Sequence, residues 1–145
     1  MATLEKHFEL DAGHRLSEHE FDCQNLHGHR YRFEVEVEGS TDPATGMVVD
    51  FANVKDPVME AFDHNFVLNA DDPILAVRDE LEAQQEKELH LLDGEPTAEN
   101  IAEESLDLIV DSLSADERDR IDRLEVRLFE TPNSSVTTAR RLDDG

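Results

Sequence analysis

The sequence predicts an α+β domain in which two helices pack on one face of an antiparallel sheet, in the order ββααββ. Apolar residues that alternate with charged ones predict strand pairs near both ends of the chain, and apolar residues at helical spacing predict two helices between them. The predicted strands cover about residues 3–14, 27–39, 122–131 and 135–142, and the helices cover about 51–62 and a segment that begins at Pro96.

The first strand is predicted from TLEKHFELDAGH, in which Leu4, Phe8 and Leu10 alternate with charged residues. His14 has the same parity, unless a bulge interrupts the strand just before it. A loop is expected over residues 15–26.

The second strand, HGHRYRFEVEVEG, has the clearest alternation in the sequence. One face is predicted to carry His27, His29, Tyr31, Phe33, Val35 and Val37, and the other Arg30, Arg32, Glu34, Glu36 and Glu38. A turn is expected at GSTDPATG, because Asp, Pro and Gly supply turn geometry. The following MVVDF is compatible with an extension of the strand.

Both helices follow from apolar spacing. In the first, Val54, Val58, Met59 and Phe62 are spaced helically, whereas Pro57 indicates an early start or a distortion. In the second, Thr97 is the expected N-cap. Its predicted buried stripe is Ile101, Ser105, Leu108, Ile109 and Ser112. Residues 63–73 are predicted to be a loop, and 74–90 a charged helical or extended insertion.

The composition limits the class of protein. A chain of 145 residues can form a single domain, expected over 1–145. No run of about 18 apolar residues and no basic-then-apolar leader occurs, so a cytoplasmic location without membrane insertion is expected. With 13 basic and 36 acidic residues the net charge is −23, which disfavours nucleic acid and anionic membranes as partners. The single cysteine excludes an internal disulfide.

The negative charge is spread over the whole chain rather than concentrated in a tail. In concentrated salt the Debye length shrinks to about 3 Å at 1 M, so that self-repulsion is screened. The charge distribution therefore predicts a halophilic protein.

Three histidines form a candidate metal site. His27 and His29 project from one strand face, and Gly28 between them permits close backbone approach. Two ligands hold zinc weakly, so His14 at the end of the neighbouring strand is the expected third. His7 has the wrong parity, and His19 belongs to the loop. The alternative, strand histidines satisfied by hydrogen bonds, stays open at this point.

Three other positions could carry chemistry. Cys23 could be a fourth metal ligand, a base or nucleophile beside the metal, or a small buried residue. Asp63 and His64 could form an oriented base unit, or His64 could simply favour a helix C-terminus. Glu130 continues the inward parity of its strand and would then need donors, such as the N–H edge of a heterocycle. Alternatively, the strand ends at Phe129 and Glu130 is solvated.

Six motifs occur in a fixed order over about residues 8–131. They are F-x-x-x-A-G-H-R-L (from Phe8), C-x-x-x-H-G-H-x-Y (from Cys23), D-F (from Asp50), D-H-x-x-x-L-N (from Asp63), P-T-x-E-N (from Pro96) and F-E-T (from Phe129). Together they resemble the 6-pyruvoyltetrahydropterin synthase / 6-carboxytetrahydropterin synthase family.

The resemblance implies the tunnelling fold, whose sheets assemble into barrels with active sites between subunits, commonly as a homohexamer. It also implies a role for individual residues. His14, His27 and His29 match the zinc ligands, Cys23 the catalytic cysteine, Asp63 and His64 the proton-relay pair, Glu130 the carboxylate that grips the pterin, and Thr97 and Glu99 pterin-pocket positions.

The implied substrate is 7,8-dihydroneopterin triphosphate. Three residues between Cys23 and H-G-H resemble the 6-carboxytetrahydropterin synthase branch, a lyase that releases acetaldehyde and triphosphate in queuosine and archaeosine biosynthesis. The pyruvoyl-forming branch usually has a longer gap, and a third branch tends to carry Glu at the cysteine position. A non-catalytic zinc- or pterin-binding module is the other alternative. Arg15, Arg30 and Arg32 are candidate contacts for the triphosphate.

Overall fold

The computed structural model of the protein describes residues 1–19 and 22–142. The strands are β1 (Ala2–His14), β2 (His27–Gly39), β3 (Asn65–Asn69), β4 (His90–Leu92), β5 (Ile121–Thr131) and β6 (Ser134–Arg141). The helices are α1 (Phe51–Phe62), α2 (Arg78–Glu82), α3 (Ala98–Ser112) and α4 (Ala115–Arg120), with short 3-10 turns at Asp22–Gln24 and Pro73–Val77.

One six-stranded sheet has the order β4-β3-β1-β2-β5-β6. The four long strands are antiparallel, as predicted, whereas β3 pairs parallel to β1 and β4 parallel to β3. The ββααββ arrangement is confirmed for the long strands and for α1 and α3. The loop prediction for 63–73 is wrong over Asn65–Asn69, because this short segment pairs with the end of β1, which is remote in sequence. Residues 20 and 21 of the predicted loop 15–26 lie outside the described residues.

The pairing of β1 with β2 continues without a register shift from Ala2 opposite Gly39 to His14 opposite His27. No bulge therefore separates His14 from Leu10, and the predicted parity is confirmed. The inward face of the sheet is apolar, and α1 and α3 pack against it to form the core. Phe33 and Leu124, for example, are both completely buried.

Helix α1 begins after Asp50, whose side chain accepts a hydrogen bond from the Ala52 N–H at 2.9 Å. MVVDF is therefore not a strand extension. Pro57 lies inside α1 and has no N–H for the carbonyl of Asn53 one turn earlier. Ser112 Oγ of α3 lies 3.4 Å from that carbonyl, but its single hydroxyl proton has a closer acceptor, the Ile109 carbonyl at 2.7 Å.

Thr97 is confirmed as the N-cap of α3, because its hydroxyl accepts from the Asn100 N–H at 3.2 Å. The predicted stripe is partly wrong, since Leu108 is only half-buried and Ser112 is exposed. The buried residues of α3 are Ile101, Ala102, Ser105, Leu106 and Ile109.

No helix in the described part of the chain combines the length and apolarity that a bilayer crossing requires.

The opposite face of the sheet places like charges next to each other. Glu5, Glu36 and Glu125 lie directly opposite one another on three adjacent strands. Arg123 Nη2 lies 2.9 Å from Glu125, but its Nη1 lies 3.8 Å from Glu36. Burial, followed by the surrounding carboxylates, raises the pKa of Glu36 above its ordinary value. The row of carboxylates therefore opposes folding at neutral pH.

Replacing Glu36 by Gln is expected to raise the free energy of unfolding at pH 7 by about 0.2–1 kcal/mol, the range for cross-strand pairs. Because the pKa of Glu36 is raised in the folded state, the folded protein binds this proton more tightly than the unfolded chain does. The stability that comes from protonated Glu36 is complete below the ordinary pKa of 4.5 and is lost as the pH rises through the folded pKa. The gain from Glu36→Gln should therefore disappear near pH 4 in urea titrations.

Glu34→Gln is the matched control on the same face. Glu34 lies opposite His7 and Arg127 and contacts Arg32 Nε at 3.1 Å. Its neutralisation should leave stability unchanged or lower it. Equal stabilisation by both variants would contradict the assignment of repulsion to the Glu36 row.

The halophilic character stays a prediction, which salt dependence can test. Screening the charge of −23 should raise the melting temperature by at least about 5 °C between about 0.1 M and about 2 M KCl. Differential scanning calorimetry measures this shift. A melting temperature that is independent of salt would contradict the prediction.

Candidate metal centre and active site

Three histidines converge at the end of the β1–β2 pair. His14 lies directly opposite His27, and His29 lies opposite Ala12, whose small side chain leaves space beside the ring. One ring nitrogen from each histidine lies within 4.8 Å of the others. Within residues 1–19 and 22–142, this cluster includes neither Cys23 nor His7 and His19. The predicted set of three is therefore close enough to bind one metal ion.

Backbone carbonyls orient two of the rings. His14 Nδ1 lies 2.7 Å from the Pro96 carbonyl oxygen, and His27 Nδ1 lies 2.7 Å from that of Asn25. Because a carbonyl only accepts, each Nδ1 must carry the proton, which leaves a lone pair on each Nε2. This is the arrangement by which proteins fix imidazole ligands of a metal. Burial lowers the pKa of His14 and so favours the neutral ring that a metal requires.

The other ring nitrogens of the cluster have unmet bonding capacity. In the described part of the chain, the buried Nε2 atoms of His14 and His29 make no hydrogen bond. Buried polar atoms without a partner are rare and destabilising, so their presence indicates a missing ligand. A metal ion bound to three imidazole nitrogens would satisfy them and would keep a further coordination position open. The alternative of strand histidines satisfied only by hydrogen bonds is thereby disfavoured.

Glu130 is the carboxylate beside the cluster. Its Oε1 lies 2.9 Å from His29 Nε2 and 3.5 Å from His14 Nε2. Neither contact has the alignment of a hydrogen bond. The side chain is 30% exposed, so it is accessible from a cavity. That cavity, of about 580 Å³, is also lined by Arg30 and Arg32. Glu130 therefore lies where a ligand could contact it next to a bound metal.

Asp63 and His64 are in contact, which adjacency in sequence did not guarantee. His64 Nδ1 lies 3.0 Å from Asp63 Oδ1, and the His64 side chain is 76% exposed. A second cavity, of about 500 Å³, is lined by His64 together with His27 and His29. An oriented imidazole and the candidate metal cluster therefore open into the same space within one chain.

The remaining predicted residues, Cys23, Thr97 and Glu99, belong neither to the histidine cluster nor to the lining of these two cavities. Cys23 is free and half-buried in the turn Asp22–Gln24. Thr97 caps α3, and Glu99 is exposed in its first turn. The helix they begin is linked to the metal cluster through the Pro96 carbonyl. The roles of Cys23, Thr97 and Glu99 stay predictions.

The three candidate arginines for the triphosphate are all paired with carboxylates. Arg15 Nε contacts buried Asp72 at 2.8 Å, which gives this arginine a structural partner. Arg30 Nε contacts Glu9 at 2.8 Å, and Arg32 Nη1 lies 3.9 Å from the same residue. The triphosphate contacts therefore stay a prediction, with Arg30 and Arg32 better placed because they line a cavity with His29 and Glu130.

Sequence reasoning missed the second layer of the site. Pro96 and Asn25 act through their carbonyl oxygens, which no side-chain pattern can indicate. Tyr31 was assigned only to a strand face. It is 1% exposed, its hydroxyl lies 3.4 Å from His14 Nδ1, and burial raises its pKa. Its parity with His27 and His29 was the signal that could have placed it beside the cluster.

The sheet, the helices packed on one face and the three-histidine cluster define a tunnelling-fold protein with a candidate metal site. The chain belongs to the 6-pyruvoyl tetrahydropterin synthase family, whose model matches residues 3–141.

Curated relatives specify the similarity further. The chain is 35% identical over 140 residues to 6-carboxy-5,6,7,8-tetrahydropterin synthase of Rickettsia conorii, covering 94% of this chain and 99% of that protein. It is 40% identical over 92 residues to a probable 6-carboxy-5,6,7,8-tetrahydropterin synthase of Halobacterium salinarum, covering 62% of this chain and 57% of that protein. The predictions of family membership and of an enzyme are confirmed.

Solved structures support the fold. A catalytic-residue mutant of Plasmodium vivax 6-pyruvoyltetrahydropterin synthase matches with a TM-score of 0.68 at 18% identity, over 97% of this chain and 99% of that chain. The Caenorhabditis elegans 6-pyruvoyl tetrahydropterin synthase matches with a TM-score of 0.60 at 26% identity, over 94% of each chain. The predicted tunnelling fold is confirmed.

Purified protein is expected to hold about one equivalent of a divalent metal per chain. Replacing His14, His27 or His29 by Ala should weaken metal binding by at least about 100-fold, since second-layer changes alone cost about 10–100-fold. Elemental analysis after dialysis against a chelator measures the loss.

His7→Ala is the matched control, since His7 lies on β1 outside the cluster and contacts Arg32 and Glu5. This variant should keep the metal. Equal metal content in all four variants would contradict the assignment.

Proposed function

We propose that the protein is a zinc-dependent lyase that converts 7,8-dihydroneopterin triphosphate to 6-carboxy-5,6,7,8-tetrahydropterin, with release of acetaldehyde and triphosphate. The observation that carries the proposal is the three-histidine cluster, which opens to the cavity of His64. In the described residues, two of its buried Nε2 atoms make no hydrogen bond. The names of the curated relatives support the same reaction.

The donor set fits zinc. Three imidazoles, two of them oriented by backbone carbonyls, together with an open position are typical of a catalytic zinc site. Bound zinc would act as a Lewis acid toward an oxygen of the substrate side chain. The chain's own residues then have to hold the pterin in one position and to move protons.

The proton transfers are assigned to two groups. The Cys23 thiolate would move protons at the substrate side chain, and His64 would be the opposite acid or base. Contact with Asp63 at 3.0 Å orients the His64 ring for this work.

Substrate placement is assigned to Glu130, which would accept hydrogen bonds from the amino-pyrimidine edge of the pterin. Its position beside His29 would bring a bound ring next to the metal, and such positioning lowers the barrier for the chemical step. Thr97 and Glu99 are assigned to the pterin pocket. We propose a homohexamer with active sites between subunits, and light scattering measures the oligomer mass.

The branch assignment depends on the cysteine spacing. Three residues separate Cys23 from the H-G-H sequence, and the curated relatives are named for the carboxy product. The product would then enter the synthesis of queuosine or archaeosine in tRNA. A second candidate is 6-pyruvoyltetrahydropterin synthase activity, which the name of the family model and of the similar solved structures favours.

Replacement of Cys23 by Ala tests the proposal. The variant should lose turnover of 7,8-dihydroneopterin triphosphate by at least about 100-fold, the usual contribution of a positioned acid or base, and should retain its metal. Mass spectrometry of the wild-type product separates the carboxy from the pyruvoyl branch.

Loss of metal together with turnover would make Cys23 a ligand and would overturn the assigned role. A wild-type protein that binds zinc and pterin without turnover would instead be a non-catalytic module. His7→Ala is again the control that should keep its metal, since His7 lies outside the histidine cluster.

A further inference from the structure

The turn that carries His64 has a demanding backbone. Helix α1 ends at Phe62, and the Asp63 N–H donates to the Met59 carbonyl at 2.9 Å. His64 then adopts a φ of 56°, the left-handed conformation that residues with a side chain rarely adopt. Such conformations are unfavourable and persist where surrounding contacts determine them. The structure should therefore contain groups that hold this turn.

Part of the segment 74–90, which the sequence predicts only as a charged helical or extended insertion, supplies those groups. Lys87 is half-buried, and its Nζ donates to the Asp63 carbonyl at 2.6 Å and to the Met59 carbonyl at 3.4 Å. An ammonium group complements the exposed carbonyls and negative dipole at a helix C-terminus. Lys87 thus binds the backbone immediately before His64.

The backbone after His64 is held by the same segment. Buried Asn65 donates from Nδ2 to the Glu88 carbonyl at 2.9 Å and to the Ala61 carbonyl at 3.1 Å. Its Oδ1 accepts from Gln85 Nε2 at 3.0 Å, and the same Gln85 nitrogen donates to the Lys87 carbonyl at 2.6 Å. We call residues 85–88 the clasp, because they bind the chain on both sides of His64.

The clasp is also close to the candidate active site. Gln85 lines the cavity that His64 shares with His27 and His29. The His64 N–H donates to the Asp11 carbonyl at 2.7 Å on β1, the strand that ends at His14. The His64 turn is therefore fixed between β1 and the clasp, while its imidazole stays exposed to the cavity.

We propose that Lys87 is a positioning residue, which holds the Asp63–His64 turn and thereby fixes the direction of the imidazole. This proposal rests on the proposed function for its effect on turnover. Without the Lys87 ammonium, the Asp63 carbonyl loses its closest donor and the His64 backbone can relax toward negative φ. Since a misplacement of about 1 Å can lower a rate by about 100-fold, a small relaxation is sufficient to reduce kcat.

The experiment compares Lys87→Met, Lys87→Arg and Lys55→Met in the full-length protein loaded with zinc. Lys87→Met should lower kcat for 7,8-dihydroneopterin triphosphate by about 10–100-fold, with KM changed by less than about 2-fold. Lys87→Arg should restore most of kcat, because it keeps a cationic donor. Lys55 lies on α1 about 12 Å along the axis from Asp63, so Lys55→Met should behave as wild type.

Hydrogen exchange gives a readout that does not depend on activity. In Lys87→Met the His64 amide should exchange faster, while β2 amides and metal content stay as in wild type. Faster exchange in all strands alike would indicate general destabilisation and would overturn the proposal, as would an unchanged kcat. If Lys87→Met fails to fold, Gln85→Ala should show the same two local effects, and their absence would overturn it.

The two proposals can fail separately. If wild-type protein does not turn over the pterin triphosphate, the proposed function fails, and the exchange of the His64 amide alone decides on the clasp. If wild type is active and Lys87→Met keeps both its kcat and the protection of His64, the clasp fails while the proposed function stands.

Discussion

The continuous pairing of β1 with β2 is the constraint on which the site depends. It brings His14 opposite His27 and leaves His29 opposite the small side chain of Ala12. Because side chains alternate between sheet faces, a slip of one residue would move His14 to the charged face and dismantle the cluster. The apolar partners farther along the same strands, such as Phe8 opposite Phe33, fix this register through burial. Core packing and metal-site geometry therefore have the same origin.

The backbone hydrogen bond to His14 connects this sheet register to the helical layer. The Pro96 carbonyl accepts the hydrogen bond from His14 Nδ1, and Pro96 immediately precedes the N-cap of α3. The packing of α3 and the orientation of the His14 ring are therefore coupled. The cluster itself is built from three imidazoles in a chain of net charge −23. A cation bound there would be coordinated by the imidazole nitrogens and stabilised by the neighbouring Glu130 carboxylate.

Sequence patterns predicted long, regular elements well and short, partner-dependent ones poorly. The alternation over β2 and the spacing over α1 survive in the structure, because each pattern extends over enough residues to define a buried face. NFVLN was assigned to a loop, since five residues carry little periodicity and become a strand only against the end of β1. The stripe of α3 was displaced because the helix faces both the sheet and α1, which spacing alone does not reveal.

Alternation along the strands by itself predicted that His14, His27, His29 and Glu130 share one face, because period-two geometry is local. The structure decided that no bulge precedes His14 and that β5 continues to Thr131. The six ordered motifs identified the family for a similar reason, since they are properties of the linear chain. Only the tertiary structure decided which carbonyls orient the histidine rings and that Asp63 contacts His64. It also decided that Lys87 donates to the Asp63 carbonyl at the end of α1. The His14–Pro96 contact joins residues 82 positions apart, and no pattern within one segment contains such a distance.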